Sequence, residues 1–300
     1  METIKQKYFD SFSCTAEKCS FTCCSGWDIN VDFKTYRLWK KENLSYEKQV
    51  KKTKNGYIIK KRTFENCPYI KNGLCKIILE KGEKYISGTC RSFPRVENMQ
   101  NGYTELSLSC ACIEAAKIIA ENNFEILGEY AKNRTKILEK LKSMPYIEHA
   151  DLFNEPRNEN VNSKLKEINI LFYDIIQNYK KVPVFKPFLC RFKNYKYTDW
   201  EKFSAKLKLS SETIKRLYMS KFFEYCPDDT LAKERLLFIL LEYILMRHAL
   251  FLSSITKENI IIYTAVFSRI IGNNEEAVRD YFKEIFGNEI PDKKYICALL

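Results

Sequence analysis

Nine of the twelve cysteines fall within the first 112 of 300 residues. They are spaced Cys14-x4-Cys19-x3-Cys23-Cys24, then Cys67-x7-Cys75-x14-Cys90, and finally Cys110-x-Cys112. Persistent disulfides are rare in a reducing compartment, so a dense cluster of this kind reads first as metal ligation or redox chemistry. A soft metal needs several thiolates converging from separate loops, and short intervals let one loop donate two of them without strain. Turn pairs in the same stretch, Ser25-Gly26, Asn55-Gly56, Asn72-Gly73 and Asn101-Gly102, break it into the short elements such a geometry needs.

The spacing leaves the metal open. Four thiolates serve either a zinc ion or a [4Fe-4S] cluster, so nine cysteines fill two sites, or one site with several buried thiols beside it. Structural zinc favours paired C-x2-4-C knuckles, and Cys19-x3-Cys23 has that form here. Adjacent Cys23 and Cys24 are awkward for one tetrahedral ion and easier for a cluster whose irons sit apart. Unligated thiols or a disulfide are the remaining alternative. Cys190, Cys226 and Cys297 stand alone and read as small buried hydrophobes.

Charge is uneven as well. The chain carries 50 Lys and Arg against 38 Asp and Glu, and residues 1–112 hold 20 basic and 12 acidic side chains. Between Lys34 and Arg62 there are 11 basic residues opposed by Glu42 and Glu47. Such a run is ordinarily a solvated helix face and loop, and it also suits an acidic protein or a phosphate-bearing partner. His149 and His248 are the two histidines, so no zinc-finger spacing exists and nucleic acid is disfavoured. At 45% hydrophobic and 14% aromatic, the chain has ample material for a packed core. No apolar run approaches the roughly 20 residues of a membrane span. The opening METIKQKYFDSF, with acids, lysines and no apolar core, does not read as a signal peptide, which makes the cytoplasm the expected location. The oligomeric state is not legible.

These patterns predict a mostly α protein: an irregular Cys-rich N-terminal metal-binding segment with short strands, residues 1–116, packed on an all-helical C-terminal body, residues 117–300. Asp32 opens a helix over VDFKTYRLWKKE, with Phe33, Tyr36 and Leu38 or Trp39 at helical spacing. Asn55-Gly56 predicts a hairpin between Lys54 and Arg62, and Lys71-Asn72-Gly73 a second turn. IEAAKIIAENN reads as a helix, continued by apolar residues from Asn123 to Leu141, then a polar connector over 143–160. Leu165, Ile168, Leu171, Phe172, Ile175, Ile176 and Tyr179 share one helical face, ended by Pro183 and Pro187. Further helices are expected near 198–225, 229–254, 256–271 and 274–286.

Three blocks, FTCCSGWDINVD-x3-Y, NCPYI-x2-GLCKI and GTCRSFPR, occur in order between about Phe12 and Ala116, and together they resemble the flagellin lysine-N-methylase family. That family carries a zinc- or iron-chelating cysteine-rich segment. The resemblance implies methyl transfer from S-adenosylmethionine to surface lysines of flagellin, by an enzyme holding an iron-sulfur cluster. By the same likeness Cys14, Cys19, Cys23, Cys24, Cys67, Cys75 and Cys90 correspond to family cysteines. The family's last cysteine step reads S-C-P-E-A-A, whereas Ser109-Cys110-Ala111-Cys112-Ile113-Glu114-Ala115-Ala116 fits it through Cys110 on one side and Cys112 on the other.

Displacing a methyl group from a sulfonium requires an aligned, deprotonated lysine amine, whose pKa is ordinarily near ~10.4. No radical is needed, and the C-x3-C-x2-C pattern is absent because Gly26 occupies its third position. Nine glycines and no G-x-G leave no dinucleotide-type loop for the donor. Arg91 and Arg95 are candidates to pair with the donor's carboxylate, or else with buried carbonyls or acids as structural partners. Asp32 and Tyr36, one turn apart, are candidates to orient or deprotonate the amine, or else a helix cap and a packing residue. Trp27 either closes the cysteine loops as a core aromatic or offers a cation-π face. His248, within an apolar stripe, reads as structural. The competing class is a non-catalytic zinc- or iron-binding, or redox-sensing, protein.

Overall fold

The computed structural model describes residues 2–53, 56–60, 66–100, 102–129, 131, 134, 161–180, 182–190, 197–225 and 229–288. The strands are β1 Glu2–Gln6, β2 Asn30–Val31, β3 Val50–Thr53, β4 Gly56–Ile59, β5 Ile70–Lys71, β6 Leu74–Cys75, β7 Arg95–Met99, β8 Tyr103–Leu108 and β9 Ile126–Leu127. The helices are α1 Phe33–Lys41, α2 Lys76–Lys81, α3 Gly88–Ser92, α4 Ile113–Glu121, α5 Val161–Gln177, α6 Lys186–Leu189, α7 Tyr197–Leu209, α8 Ser211–Tyr225, α9 Asp229–Leu252, α10 Lys257–Phe267 and α11 Glu275–Phe286. The protein is mostly α, as the sequence patterns predict. No helix among the described residues is long and apolar enough to cross a membrane.

Several local expectations are met for the physical reasons given. Asp32 caps α1 by accepting from the Thr35 amide at 2.8 Å. Within α1, Trp39 is wholly buried, while Phe33 stays exposed beneath the Arg37 guanidinium at 4.2 Å. The hairpin forms between β3 and β4, so its first strand lies earlier than Lys54. Asn72 and Gly73 take φ of +52° and +80°, the left-handed pair that a tight β5–β6 turn requires. All seven residues of the 165–179 stripe are buried.

Other expectations are corrected. The apolar stretch from Asn123 begins extended, because Ile126 and Leu127 pair antiparallel with Gln6 and Lys5 instead of continuing α4; Leu138, Leu141 and the connector over 143–160 lie outside the described residues. α5 ends at Gln177, before the prolines, and Pro183 and Pro187 open the next short helical turns, where an N–H has no intrahelical partner to lose. The 198–225 helix is two, broken at Ser210. α10 runs into a π-helical turn, Ser268–Gly272, a widening often found at functional sites. Cys190 is exposed, while Cys226 and Cys297 lie outside the described residues.

β1 lies between β8, to which it is parallel, and β9, giving the order β7-β8-β1-β9. Buried Gln6 fixes this sheet to the body: its Nε2 donates to Ser220 Oγ at 2.7 Å, and its Oε1 accepts from the Leu108 amide at 2.8 Å. One apolar core therefore combines Ile4, Phe9, Phe12, Phe21 and Leu108 with the helical body. At the centre of that body, α9 is buried around its whole circumference from Phe238 to Leu250. There Lys221 of α8 meets Glu242 of α9 and Ser268 of the π turn, all three buried. A second, smaller core gathers Ile29, Val31, Trp39, Tyr46, Ile59, Tyr69, Ile77 and Ile86, with the rings of Trp39, Tyr46 and Tyr69 mutually edge-on.

Candidate functional site

The cysteine-bearing loops meet where the two cores adjoin. Cys24 is in hydrogen-bond contact with both Cys23 and Cys67, and Cys90 lies close enough to act on it electrostatically. The backbone reinforces this, since the Cys67 amide donates to the Cys24 carbonyl at 2.7 Å. Contact with Cys24 holds the Cys23 thiol far above its ordinary range, with desolvation by the surrounding loops as the second cause even though the residue reaches the surface. Contact with Cys23 favours the Cys24 thiolate, but contact with Cys67, burial and the like charges of Cys67 and Cys90 push it up to about 12. Thiols crowded this way resist ionising without a cation among them, and a bound metal reverses that preference.

A second group lies beside them. Cys19 and Cys112 are neighbours, both raised by burial, Cys112 to about 11, and both are drawn back by the Arg269 guanidinium. Cys110 points the other way, into the helical body, where its Sγ donates to the Leu217 carbonyl at 3.5 Å and burial raises it to about 12. Cys75 faces Tyr46 and Tyr69, and Cys14 is exposed. The contacts among these thiols are pairwise. Among the described residues, no three His, Cys, Asp or Glu side chains are arranged to hold one metal ion.

Arg269 organises the site. It is 1% exposed in the π turn after α10, and it donates to four backbone carbonyls: Thr22 at 2.5 Å, Ala111 at 2.6 Å, Phe21 at 2.9 Å and Ser25 at 3.3 Å. It also lies 3.9 Å from the centre of the Phe21 ring. Among the described residues no carboxylate pairs with it. Burial lowers it to about 10, while Cys23, Cys112, Cys19 and Cys24 pull the other way. An enclosed guanidinium facing four thiols favours negative charge on them. Asn274 adds a second tie, donating to the Gly26 carbonyl at 3.1 Å and accepting from the Asp28 amide at 3.4 Å.

The remaining sequence candidates are dispersed. Trp27 donates to the Cys23 carbonyl at 2.7 Å and packs on Phe93, closing the cysteine loop. Arg95 donates to the Phe12 carbonyl at 3.0 Å and covers the Phe9 and Phe12 rings. Tyr36 stacks on Tyr57 with ring centres 4.0 Å apart. Asp32 and Arg91 do share one groove, of about 470 Å³. The Asp32 carboxylate is engaged there by the Gly88 amide, by the Thr35 amide and by the Thr35 hydroxyl; burial opposes its charge, but these bonds prevail and hold its pKa below the usual value. Arg91 donates to the carbonyls of Glu83, Lys84 and Ile86.

A separate cleft of about 360 Å³ opens between the end of α5, the π turn and α11. Ile175, Ile270, Ile271 and Val278 give it an apolar lining, with Tyr179, Tyr281, Asp280 and Glu284 supplying polar groups. Tyr179 is bonded to Asn274, so this wall connects to the Gly26–Asp28 backbone.

Over 130 residues the chain is 32% identical to the flagellar biosynthetic protein FliU of Salmonella muenchen, a match covering 39% of this chain and 77% of that protein. It is also 33% identical over 122 residues to the lysine-N-methylases of Salmonella typhimurium and Salmonella choleraesuis. The chain belongs to the flagellin lysine-N-methylase-like family. The second match covers 36% of this chain and spans 30% of the length of those two relatives. No protein-family model matches the chain, and no solved structure does. Sequence reasoning about this family member misses Arg269 and Asn274. Their one visible signal is a lone arginine interrupting the apolar run from Ile260 to Ile271, followed by Asn273-Asn274.

Proposed function

We propose that the chain transfers methyl groups from S-adenosylmethionine to lysine side chains of flagellin and carries a [4Fe-4S] cluster on its N-terminal cysteines. The observation that carries this reading is the coupling of the cysteine loop, through Asn274 and Arg269, to the wall of a ligand-sized cleft. The likeness to lysine-N-methylases supports the reaction.

The donor chemistry fits a thiolate-held group. Cys23, Cys24 and Cys67 form a chain of contacts in place of a single focus, with Cys90 near enough to act on Cys24 electrostatically, which suits sulfurs bound to different irons, and Cys19 and Cys112 stand beside them against Arg269. When bound, the group would supply negative charge opposite Arg269 and cross-link the loops. In the cleft, the acids Asp280 and Glu284 attract an incoming ammonium, and the apolar lining favours its neutral form by desolvation. In the transfer itself the lysine ammonium first gives a proton to water, the neutral amine nitrogen bonds to the methyl carbon as the carbon–sulfur bond breaks, that bond's electron pair stays on sulfur as the neutral thioether, and the product leaves as the methylammonium.

The test is anaerobic purification, iron, sulfide and zinc analysis, and mass spectrometry of flagellin after incubation with the donor. Brown protein that adds methyl groups to lysines is the expected result. Colourless zinc protein would overturn the cofactor assignment, and unmodified flagellin with the cofactor intact would leave a non-catalytic metal-binding protein.

A further inference from the structure

We infer that the groove between α1 and the segment from Glu83 to Ser92 is a binding site for an acidic peptide segment. Lys34, Arg37 and Lys41 recur along one side of α1, spanning about 10 Å at the helical rise of about 1.5 Å per residue. Lys84 and Arg91 line the facing wall. Asp32 is the one acid among the lining residues, and its carboxylate is already committed to Gly88 and Thr35. All five cations are exposed, so none is neutralised by enclosure.

The walls are fixed relative to each other. The Gly88 amide donates to Asp32 at 2.7 Å, and the Trp39 indole donates to the Tyr85 carbonyl at 2.8 Å. Arg91 directs Nη2 to three carbonyls, which anchors its guanidinium at the groove edge. A groove of about 470 Å³ with five cations on a braced frame is an electrostatic receptor for a polyanion.

The chemistry selects among polyanions. A single tightly held phosphate is normally cradled by backbone amides; here the Thr35 and Gly88 amides are occupied by Asp32. Single-stranded nucleic acid calls for aromatic faces interleaved with the cations; no aromatic side chain lines this groove, and Tyr36 is stacked on Tyr57. Three of the five cations are lysines, point charges that suit carboxylates spaced along an extended chain. The inference is independent of the methyl-transfer reading.

The test is fluorescence anisotropy of the full chain with a labelled peptide of alternating Glu and Gly, at low and high salt. Lys34→Glu/Arg37→Glu/Lys41→Glu should weaken binding about tenfold or more, and salt should weaken it in the unmodified protein. A control variant, Lys166→Glu/Lys202→Glu/Lys206→Glu, changes net charge equally on exposed lysines of the helical body and should bind as the unmodified protein does. Circular dichroism checks folding, and Lys41→Glu/Lys84→Glu replaces the triple variant should that one unfold. No binding at low salt, equal loss in the control, or displacement of the peptide by inorganic phosphate or single-stranded DNA at lower concentration than by unlabelled peptide would overturn the inference.

Discussion

Replacing Arg269 with methionine removes the guanidinium while keeping much of the volume of a side chain that is 1% exposed. The substitution strips donors from the carbonyls of Phe21, Thr22, Ser25 and Ala111. Hydrogen bonds from a charged donor contribute about 1.5–3 kcal/mol each, but bonds from one guanidinium are not additive and the desolvation of the charge offsets part of the gain. The expected loss is about 3–5 kcal/mol, because four carbonyls lose a donor at roughly 1–3 kcal/mol each and the terms are less than additive. Denaturant unfolding measures it. The loss is local as well as global: with the carbonyls of Phe21, Thr22 and Ser25 released, the half-buried Cys19 and Cys24 should alkylate faster by site-resolved mass spectrometry, the gain in access outweighing the lost pull of the guanidinium on their thiolates. Arg269→Lys separates charge from reach, since an ammonium restores the positive field but not the planar fork that spans both loops. It should recover only part of the stability lost in the methionine variant. A methionine variant within about 1 kcal/mol of the unmodified protein, with unchanged alkylation rates, would refute this reasoning.

Three further outcomes are expected. Burial, and then the charge of Arg247, lowers His248 from 6.5 to about 3; the unfolded chain therefore takes up a proton below pH 6.5 that the folded chain refuses. That contribution leaves stability intact above pH 6.5 and erodes it toward pH 3 by about 1.4 kcal/mol per pH unit, a slope that His248→Gln should remove in a pH series of denaturant melts. Lys221→Met should cost about 3–5 kcal/mol by stranding Glu242 in the core, and Lys221→Met/Glu242→Met should recover much of it in a double-mutant cycle. Gly128 holds φ +123°, and a Cβ there would meet Ile4 Cγ2 and the Thr3 carbonyl oxygen at 2.8 Å, so Gly128→Ala should destabilise by about 1–3 kcal/mol and lower the thermal midpoint.

What is legible in the sequence is local. Asp32 as a cap, Asn72-Gly73 as a turn and the stripe from Leu165 to Tyr179 each depend on residues a few positions apart, and each forms as expected. The four-stranded sheet is not legible: β1 pairs with a strand about a hundred residues away, and β9 is only two residues long, too short for a periodicity to declare. The same division explains the candidate site residues. Asp32 and Arg91 stand out in the sequence for their chemistry, but the groove they share is built from charges whose convergence depends on tertiary packing between α1 and α3.

The Cys110/Cys112 ambiguity shows why a donor motif alone cannot define a centre. One residue separates the two cysteines, yet Cys112 turns toward Cys19 and Arg269 while Cys110 turns toward the Leu217 carbonyl and the buried polar groups of α8 and α9. Arg269 accounts for the difference, because its Nε holds the intervening Ala111 carbonyl at 2.6 Å and fixes the turn between them. The cysteine segment supplies the thiols, and the helical body, motif-poor in sequence, decides which of them face one another.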